Sequence, residues 1–528
     1  MTASPNPEPL HSEHGATDAP GLTLVPDQQH AAQDHSVRHA ASSQRVMRGA
    51  LALFSIQPLT WAASFLMIVY TPQYLSSAAM GQWAVLTALS GIGTVVLGLG
   101  VPTVLIRQVA AASESTPRSA AASLVLLGVV SIIGAVLVAL LVRTFHLIDL
   151  PPLTLELTLA ATVTSLIQQL LLSILNGQHR LGRFAGLSAL GAVTTSVASV
   201  ATLMLGGGLV GVLVVGLVVA LATTALGWRT SGVSVDWSGA TWPALRALAI
   251  SGLPFAGTAL VLRLRGDAEV MLLGLGLSIE VLGWWAAAER ISYIALFIPT
   301  LLMTPLLPAL AAVADDITTF RETLRRSLGL TIVLTLGAST GIVAIAPIVP
   351  HTFGWAPEFV AAIPLIEILA LVAPLISVGM ILGTALIALG DERRWFVTSV
   401  VASSLHLIVT PALIFGFNAW GNNGGVGAAL AKLLIEVLMV GGALYLLPAG
   451  SVHRSSWMVA LKSVIASLVM IGAVRLLLSF EPPFALPLSM LTGGIVFLST
   501  LAALRVMPAS ELAGMAGFVR DTIRRKAG

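Results

Sequence analysis

The chain has 528 residues, of which 56% are apolar and only 10% are charged, and it contains no cysteine. Soluble globular proteins carry about 25% charged residues, so water cannot solvate this surface in the usual way. With a mean hydropathy of +0.93, the composition indicates a membrane protein and argues against a cytosolic enzyme, a disulfide-stabilised secreted domain or a disordered scaffold. The absence of cysteine also excludes thiolate zinc sites and thiol catalysis.

The first 44 residues form a separate region. They are rich in Pro, Ser, Ala, His and acidic residues, contain no apolar run and have a single basic residue, Arg38. This composition predicts a disordered cytoplasmic tail. The tail lacks the basic start and small-residue cleavage site of a signal peptide, so we expect the first membrane helix to direct insertion. Its five histidines are irregularly spaced, which favours a solvated tail over a metal site.

Fourteen apolar runs, each long enough to span a bilayer, follow between Gly49 and Leu504. Because these runs lack the two-residue alternation of barrel strands, we predict an all-α polytopic membrane protein with about 14 transmembrane helices. We expect two six-helix lobes in parallel repeat, followed by two C-terminal helices. The predicted regions are the tail at 1–44, an N-lobe at 45–230, a C-lobe at 247–450, helices 13 and 14 at 455–506, and a basic cytoplasmic tail at 507–528.

A short motif that occurs twice in the sequence favours this repeat. Gly81-Gln82-Trp83-Ala84 opens the second predicted helix, Gly81 to Val104, and Gly283-Trp284-Trp285-Ala286 lies near the start of the eighth, Val281 to Leu307. Six helices separate the two motifs. Because six is even, the halves have the same orientation and are related by an axis along the membrane normal, as in some secondary transporters.

The distribution of basic residues predicts the orientation. A cytoplasmic N-terminus places 21 of the 27 Lys and Arg residues in cytoplasmic tails and loops, and leaves Arg143 and Arg475 outside and four cations in the membrane. We therefore expect both termini in the cytoplasm, and we attribute the basic pI of about 9.6 to topology rather than to nucleic-acid binding. The loops are too short for a catalytic domain, so we predict no enzyme.

Nine charged residues fall within predicted membrane helices, all of them in helices seven to twelve. A charge at this depth costs about 2.5–3.5 kcal/mol on insertion scales, so we expect these side chains to face an aqueous cavity. The residues are Arg263, Arg265, Asp267, Glu269, Glu289, Arg290, Glu367, Lys432 and Glu436.

The cations allow two interpretations. In one, they line a cavity for a diphosphate or an acidic sugar, because guanidinium groups match phosphate oxygens. In the other, they form i,i+4 pairs with carboxylates on the same helix and bind nothing. The candidate binding residues are Arg263, Arg265, Arg290 and Lys432. The candidate pairs are Arg263 with Asp267, Arg265 with Glu269, and Lys432 with Glu436.

The carboxylates are candidates for ion coupling or for charge pairing. Glu367 has no charged neighbour on its own helix, so it is either a proton or sodium site or the partner of Arg290 or Lys432. The other candidates are Asp267, Glu269, Glu289 and Glu436.

No motif for ATP hydrolysis is present, because none of the three lysines follows a glycine in a P-loop pattern. We therefore expect a secondary transporter without cofactors, catalytic residues or metal ligands. An ion gradient, the membrane potential or the substrate gradient would drive it.

Several segments resemble the polysaccharide-unit flippases of the multidrug, oligosaccharidyl-lipid and polysaccharide exporter superfamily, across about residues 48–450. The first set is Met80-Gly81-Gln82-Trp83, Gly98-Leu99-Gly100-Val101-Pro102 and Ile106-Arg107-Gln108-Val109-Ala110. The second set is Gly252-Leu253-Pro254, Asp267, Gly283-Trp284-Trp285-Ala286-Ala287-Ala288-Glu289-Arg290-Ile291 and Pro308. The third set is Leu389-Gly390-Asp391-Glu392-Arg393 and Gly424-Gly425-Val426-Gly427-Ala428-Ala429.

The resemblance implies a two-lobed, fourteen-helix bundle in the bacterial inner membrane. It would move a polyprenyl-diphosphate-linked oligosaccharide from the inner to the outer leaflet by alternating access, for export of cell-surface polysaccharide. The implied partners are the lipid-linked oligosaccharide, membrane lipids, and a glycan polymerase with its chain-length machinery. The pair Arg263 and Arg265 matches no motif of the family.

Three alternatives stay open at this point. A drug/cation antiporter of the same superfamily usually has twelve helices, and a basic cavity does not suit cationic drugs. A lipid II flippase is a second alternative. The third, from a different class, is a membrane-embedded glycan polymerase or ligase, which would need a long outer loop; the longest predicted one, Arg143 to Pro152, has about ten residues.

Overall fold

The computed structural model describes residues 56–112, 115–145, 150–151, 153–421, 423–452 and 454–506. The predicted tails at 1–44 and 507–528, with the histidines of the first, lie outside the described residues. Within the described ranges the regular structure is helical, which confirms the predicted all-α class.

Seventeen α-helices follow one another along the described chain. They are α1 (56–74), α2 (Ser77–Gly98), α3 (Val101–Ala111), α4 (Thr116–Thr144), α5 (Thr154–Gly177), α6 (Leu181–Met204), α7 (Gly208–Ser231), α8 (Trp242–Gly276), α9 (Ile279–Ser292), α10 (Phe297–Ala311), α11 (Ile317–Ile345), α12 (Val349–Thr352), α13 (Ile363–Ala388), α14 (Glu392–Ala419), α15 (Gly424–Leu446), α16 (Arg454–Leu478) and α17 (Ala485–Ala503).

Eleven helical segments of the described chain are long and apolar enough to cross a membrane, so the protein is a multi-pass membrane protein. The predicted total of fourteen is not confirmed. A total of fourteen spans would require three more to cross the bilayer in addition to these eleven: α1, the charged 35-residue helix α8, and the α9–α10 pair.

Two predicted spans are broken. The second, Gly81 to Val104, is interrupted because Leu99 and Gly100 have positive φ angles of 48° and 68°, which end α2 before α3 begins. The eighth, Val281 to Leu307, contains a 3₁₀ turn over Tyr293–Leu296. Pro299 lacks the N–H group that would bond Ala295, so the α-helical ladder cannot continue unbroken there.

The backbones of α2 and α9 touch at two glycines. A Cβ atom added at Gly81 would lie 2.0 Å from the carbonyl oxygen of Ile279, and one at Gly283 would lie 1.8 Å from that of Ser77. Ser77 lies four residues before Gly81 on α2, and Ile279 lies four residues before Gly283 on α9, so the contact is reciprocal. A side chain at either glycine would push the two helices apart. The two similar sequence motifs, which contain these glycines, therefore lie against each other.

A second reciprocal glycine contact joins α8 to the break between α2 and α3. A Cβ atom at Gly100 would lie 2.2 Å from the carbonyl oxygen of Gly252, and one at Gly252 would lie 2.0 Å from that of Leu99. Helices α8 and α9 are thus both held directly against α2.

One end of the bundle, called the α1–α2 end, is closed by hydrogen bonds. Gln73 Nε2 donates to the Phe353 carbonyl (2.5 Å), and the Trp355 indole donates to the Val69 carbonyl (3.1 Å). The backbone N–H of Ser77 donates to the carboxylate of Glu358. These bonds tie the α1–α2 connection to residues 353–358, which lie between α12 and α13.

Basic side chains cap helix ends elsewhere. Arg180 Nη1 donates to the carbonyl of Ser231 (2.5 Å) at the end of α7, and Lys462 Nζ donates to that of Leu504 (2.7 Å) after α17. Arg321 Nη2 donates to the Ala449 carbonyl (2.6 Å), shortly after α15 ends. Predicted cytoplasmic cations thus satisfy carbonyl groups that the helices leave unpaired.

We expect Gly283→Ala to lower the thermal unfolding temperature of the purified protein, because the new methyl group would collide with the Ser77 carbonyl. Gly186→Ala is the matched control, since no atom lies within 4 Å of a Cβ there and alanine favours a helix by about 1 kcal/mol over glycine. Equal unfolding temperatures for Gly283→Ala and the wild type would contradict the contact.

Candidate functional site

Arg290 of α9 lies at the contact between α9 and α2. It follows Gly283 by seven residues, about two helical turns, and therefore lies on the same face of α9. Its guanidinium carbon is 4.3 Å from the centre of the Trp83 ring on α2, a distance typical of a cation–π interaction.

Three hydrogen-bonding groups of α9 lack a partner among the described residues. The Nη1 atom of Arg290 is buried and has no hydrogen-bond partner among the described residues, and the same holds for the indole nitrogens of Trp284 and Trp285. A buried N–H group without a partner costs about 1–3 kcal/mol, and more when it is charged. An unsatisfied guanidinium N–H can donate a strong bond to an anionic oxygen, so Arg290 is the best candidate for an anion-binding residue.

Arg263 lies on the face of α8 that points to α2. It is eleven residues, about three turns, from both Gly252 and Gly274, so the three share one helix face. Gly252 touches the α2–α3 break, and a Cβ atom at Gly274 would lie 3.9 Å from Val85 of α2. Arg263 itself is exposed. Arg263 therefore lies on α8 between its contact with the α2–α3 break and its contact with Val85.

Lys432 of α15 is paired across helices. Its Nζ atom is 3.0 Å from Oε1 of Glu289 on α9, and its residue is only 7% exposed. The ammonium also lies 5.6 Å from the centre of the Trp285 ring and 5.3 Å from that of Tyr293. Glu436, 6% exposed, is one turn further along α15. The sequence predicted a partner for Lys432 on its own helix, and the structure adds Glu289 from α9.

A cavity of about 540 Å³ with two charged side chains in its lining opens beside this pair. It lies between the α9–α10 turn and helices α13, α14 and α15. Its lining includes Tyr293, Gly379, Gly383, Trp395, Lys432 and Glu436.

Glu367 of α13 is paired with Arg475 of α16. The distance between Arg475 Nη2 and Glu367 Oε1 is 2.6 Å, and the same nitrogen donates to the Val343 carbonyl of α11 at 2.8 Å. The predicted partners Arg290 and Lys432 are therefore wrong for this carboxylate. The pair connects α16 to the α11–α13 contact.

Three of the predicted site residues remain untested. Arg265, Asp267 and Glu269 belong to α8, but their side chains lie outside the described part of the chain, so the two predicted ion pairs within α8 stay predictions. Among the described residues, no group of three or more His, Cys, Asp or Glu side chains could hold a metal ion.

An apolar cavity of about 430 Å³ lies between α11, α16 and α17. Its lining includes Val333, Gly337, Gly341, Met470, Phe497 and Leu501. Sequence reasoning missed it, as it missed the ring partners Trp83 and Tyr293, because contacts between helices cannot be deduced from apolar composition.

The fold is that of known membrane transporters. The structure is similar to a solved "Lipid II flippase MurJ, inward closed conformation", with a TM-score of 0.66 and 13% identity over 87% of this chain and 99% of that chain. It is also similar to an inward-facing multidrug resistance MATE family transporter of the MOP superfamily, with a TM-score of 0.59 and 16% identity over 75% of this chain and 97% of that one. No curated protein sequence matches the chain.

The family follows from the sequence itself. Residues 46–313 match the family described as polysaccharide biosynthesis protein, and this match covers half of the chain. The chain therefore belongs to the polysaccharide biosynthesis protein family. The resemblance drawn from the sequence motifs is confirmed.

We expect Lys432→Met to destabilise the protein by about 3–5 kcal/mol, because it leaves the carboxylate of Glu289 without its cation in a largely buried site. Neutralising Glu289 as well, as Glu289→Gln, should recover part of that loss. Chemical denaturation of the purified variants measures both effects.

Arg394→Met is the control for this pair. Arg394 forms a 3.5 Å ion pair with Asp391 in which its own side chain is 68% exposed, and exposed pairs contribute at most about 1 kcal/mol. Equal losses of stability in Arg394→Met and Lys432→Met would contradict a buried, structurally important pair at Lys432.

Proposed function

We propose that the protein is a flippase that translocates a polyprenyl-diphosphate-linked oligosaccharide across the membrane by alternating access, for export of cell-surface polysaccharide. The observation that carries this proposal is Arg290 at the α2–α9 contact, whose buried Nη1 atom has no hydrogen-bond partner among the described residues. Membership of the polysaccharide biosynthesis protein family supports the glycan part of the proposal.

The diphosphate suits the region between α2, α8 and α9. Arg290 has an N–H group for which the described part of the chain provides no acceptor, and a diphosphate oxygen would satisfy it by a charge-assisted hydrogen bond. Arg263, which lies on α8 between the contacts of that helix with the α2–α3 break and with Val85, would add a second guanidinium. A cationic drug would be repelled by both residues, which disfavours an antiporter for such drugs.

The prenyl chain requires an apolar environment, and the cavity between α11, α16 and α17 provides one. Its lining is almost entirely hydrocarbon, so burial of an isoprenoid chain there would gain about 25 cal/mol for each Å² removed from water. Glu367 and Arg475 hold α16 against α11 and α13, which keeps the walls of this cavity together.

Alternating access requires that one end of the bundle opens while the other closes. We propose that the α1–α2 end is the outer end, that both termini are cytoplasmic, and that the two lobes comprise residues 45–230 and 247–450 in a bacterial inner membrane. The bonds from Gln73, Ser77 and Trp355 then describe a state closed to the outside. A glycan polymerase with its chain-length machinery would act on the exported product.

We expect Arg290→Ala to stop glycan export at normal protein abundance, with lipid-linked oligosaccharide accumulating inside the cell. Arg290→Lys should retain part of the activity, because it keeps the charge but loses the guanidinium fork. Surface glycan and intracellular lipid-linked oligosaccharide are the two readouts. The control is Arg229→Ala, at the exposed end of α7. Normal surface glycan in Arg290→Ala cells would refute the proposal.

Cross-linking of the α1–α2 end tests the alternating-access part. The chain contains no cysteine, so a pair introduced at Gln73 and Phe353 is the only thiol pair available to a short bis-methanethiosulfonate reagent. We expect the reagent to stop export and a reductant to restore it, because the linker holds this end closed. The single-cysteine variants are the controls. Continued export in fully cross-linked protein would show that this end does not open during transport.

A further inference from the structure

The cavity beside Lys432 is large enough to bind a small molecule. Its volume of about 540 Å³ falls within the usual range for ligand pockets, about 300–1,000 Å³. Two of its lining side chains, Lys432 and Glu436, are more than nine-tenths buried in the fold yet reach the cavity wall. Such buried charges are expensive to place in a membrane protein and mark functional sites.

The charges in this cavity exclude several kinds of ligand. Lys432 is already bonded to the carboxylate of Glu289, and Glu436 adds a second carboxylate one turn away, so the three groups carry a formal charge of −1. A diphosphate would be repelled by this arrangement. A prenyl chain offers no hydrogen-bonding group to the charged side chains at the cavity wall. A metal cation would be repelled by the ammonium group of Lys432.

A sugar ring is compatible with the side chains that line this cavity. Carboxylate oxygens accept hydrogen bonds from hydroxyl groups, and the ammonium donates to hydroxyl or ring oxygens. The aromatic side chains Tyr293 and Trp395 offer flat apolar faces whose negative charge suits the C–H groups on one face of a pyranose. A neutral saccharide therefore matches the charged and aromatic side chains of the lining, and the rest of the lining is largely apolar.

We propose that this cavity is a subsite for the saccharide of the lipid-linked oligosaccharide, separate from the diphosphate site at Arg290. The proposal rests on the proposed function and adds the position of the sugar. Glu289, which bonds Lys432, is the residue directly before Arg290 on α9. The diphosphate and the first sugars are covalently linked, so the proposal requires one substrate to reach both sites at once.

Two glycines of α13 keep the cavity open. No atom lies within 4 Å of a Cβ built on Gly379, so this position borders empty space. At Gly383, a Cβ would lie 2.7 Å from the indole ring of Trp395, so this glycine lets the ring pack against the backbone. Replacing Gly379 by leucine therefore fills the cavity without changing its charge. Gly329→Leu on α11, also in open space and outside this cavity, is the matched control.

The test compares two probes on the full-length protein in lipid nanodiscs. One probe is the lipid-linked oligosaccharide that accumulates in cells lacking the protein, and the other is polyprenyl diphosphate without sugar. We expect the wild type to bind the glycosylated lipid about tenfold more tightly than the sugar-free lipid, a difference of about 1.4 kcal/mol. Gly379→Leu and Glu436→Gln should both bring this ratio close to one and leave the Kd for polyprenyl diphosphate unchanged.

The outcomes separate this proposal from the proposed function. If the wild type binds neither probe, or if Arg290→Gln lowers the affinity for neither probe, the proposed function is wrong and the saccharide subsite is wrong with it. If Arg290→Gln lowers the affinity for both probes but folded Gly379→Leu keeps the wild-type ratio of the two affinities, only the saccharide subsite is wrong. If Glu436→Gln alters the pH dependence of binding and not the ratio, the cavity is a proton site, which also overturns the proposal.

Discussion

The close contact between α2 and α9 fixes the position of Arg290 and of the adjacent Glu289, on which the proposed binding site depends. Gly81 and Gly283 each admit the other helix's carbonyl oxygen where any other residue would place a Cβ atom. Because no side chain separates the backbones, α9 cannot shift sideways without breaking the contact. Two turns further along, this geometry brings Arg290 over the ring of Trp83. The adjacent Glu289 points to a different neighbour and meets Lys432.

The intramembrane charges divide into two kinds by their partners. Glu289 with Lys432, and Glu367 with Arg475, are bonded across helices, so each pair lowers the cost of burial and fixes how two helices pack. Arg290 differs, since its nearest observed partner is an aromatic ring and one of its nitrogens has no acceptor among the described residues. The paired charges connect helices of the bundle, and Arg290 is the residue that we propose binds the diphosphate.

The helical membrane fold was predictable because hydropathy is a local property of the sequence. Departures from the predicted spans are also local in origin: the positive φ angles at Leu99 and Gly100 divide the second span, and Gly98-Leu99-Gly100 was visible but not interpreted as a break. The partners of charged residues were not predictable. Glu367 is 108 positions from Arg475 in the chain, and only the packing of α13 against α16 brings them together. The echoed glycine motifs predicted a repeat, but not that the two copies touch.

The most direct test of this account is an experimental structure of the protein with its lipid-linked oligosaccharide bound. The account predicts a phosphate oxygen within hydrogen-bonding distance, about 2.7–2.9 Å, of Nη1 of Arg290, between α2 and α9. A diphosphate bound elsewhere, with Arg290 still stacked on Trp83 and its Nη1 atom without an acceptor, would contradict the central claim.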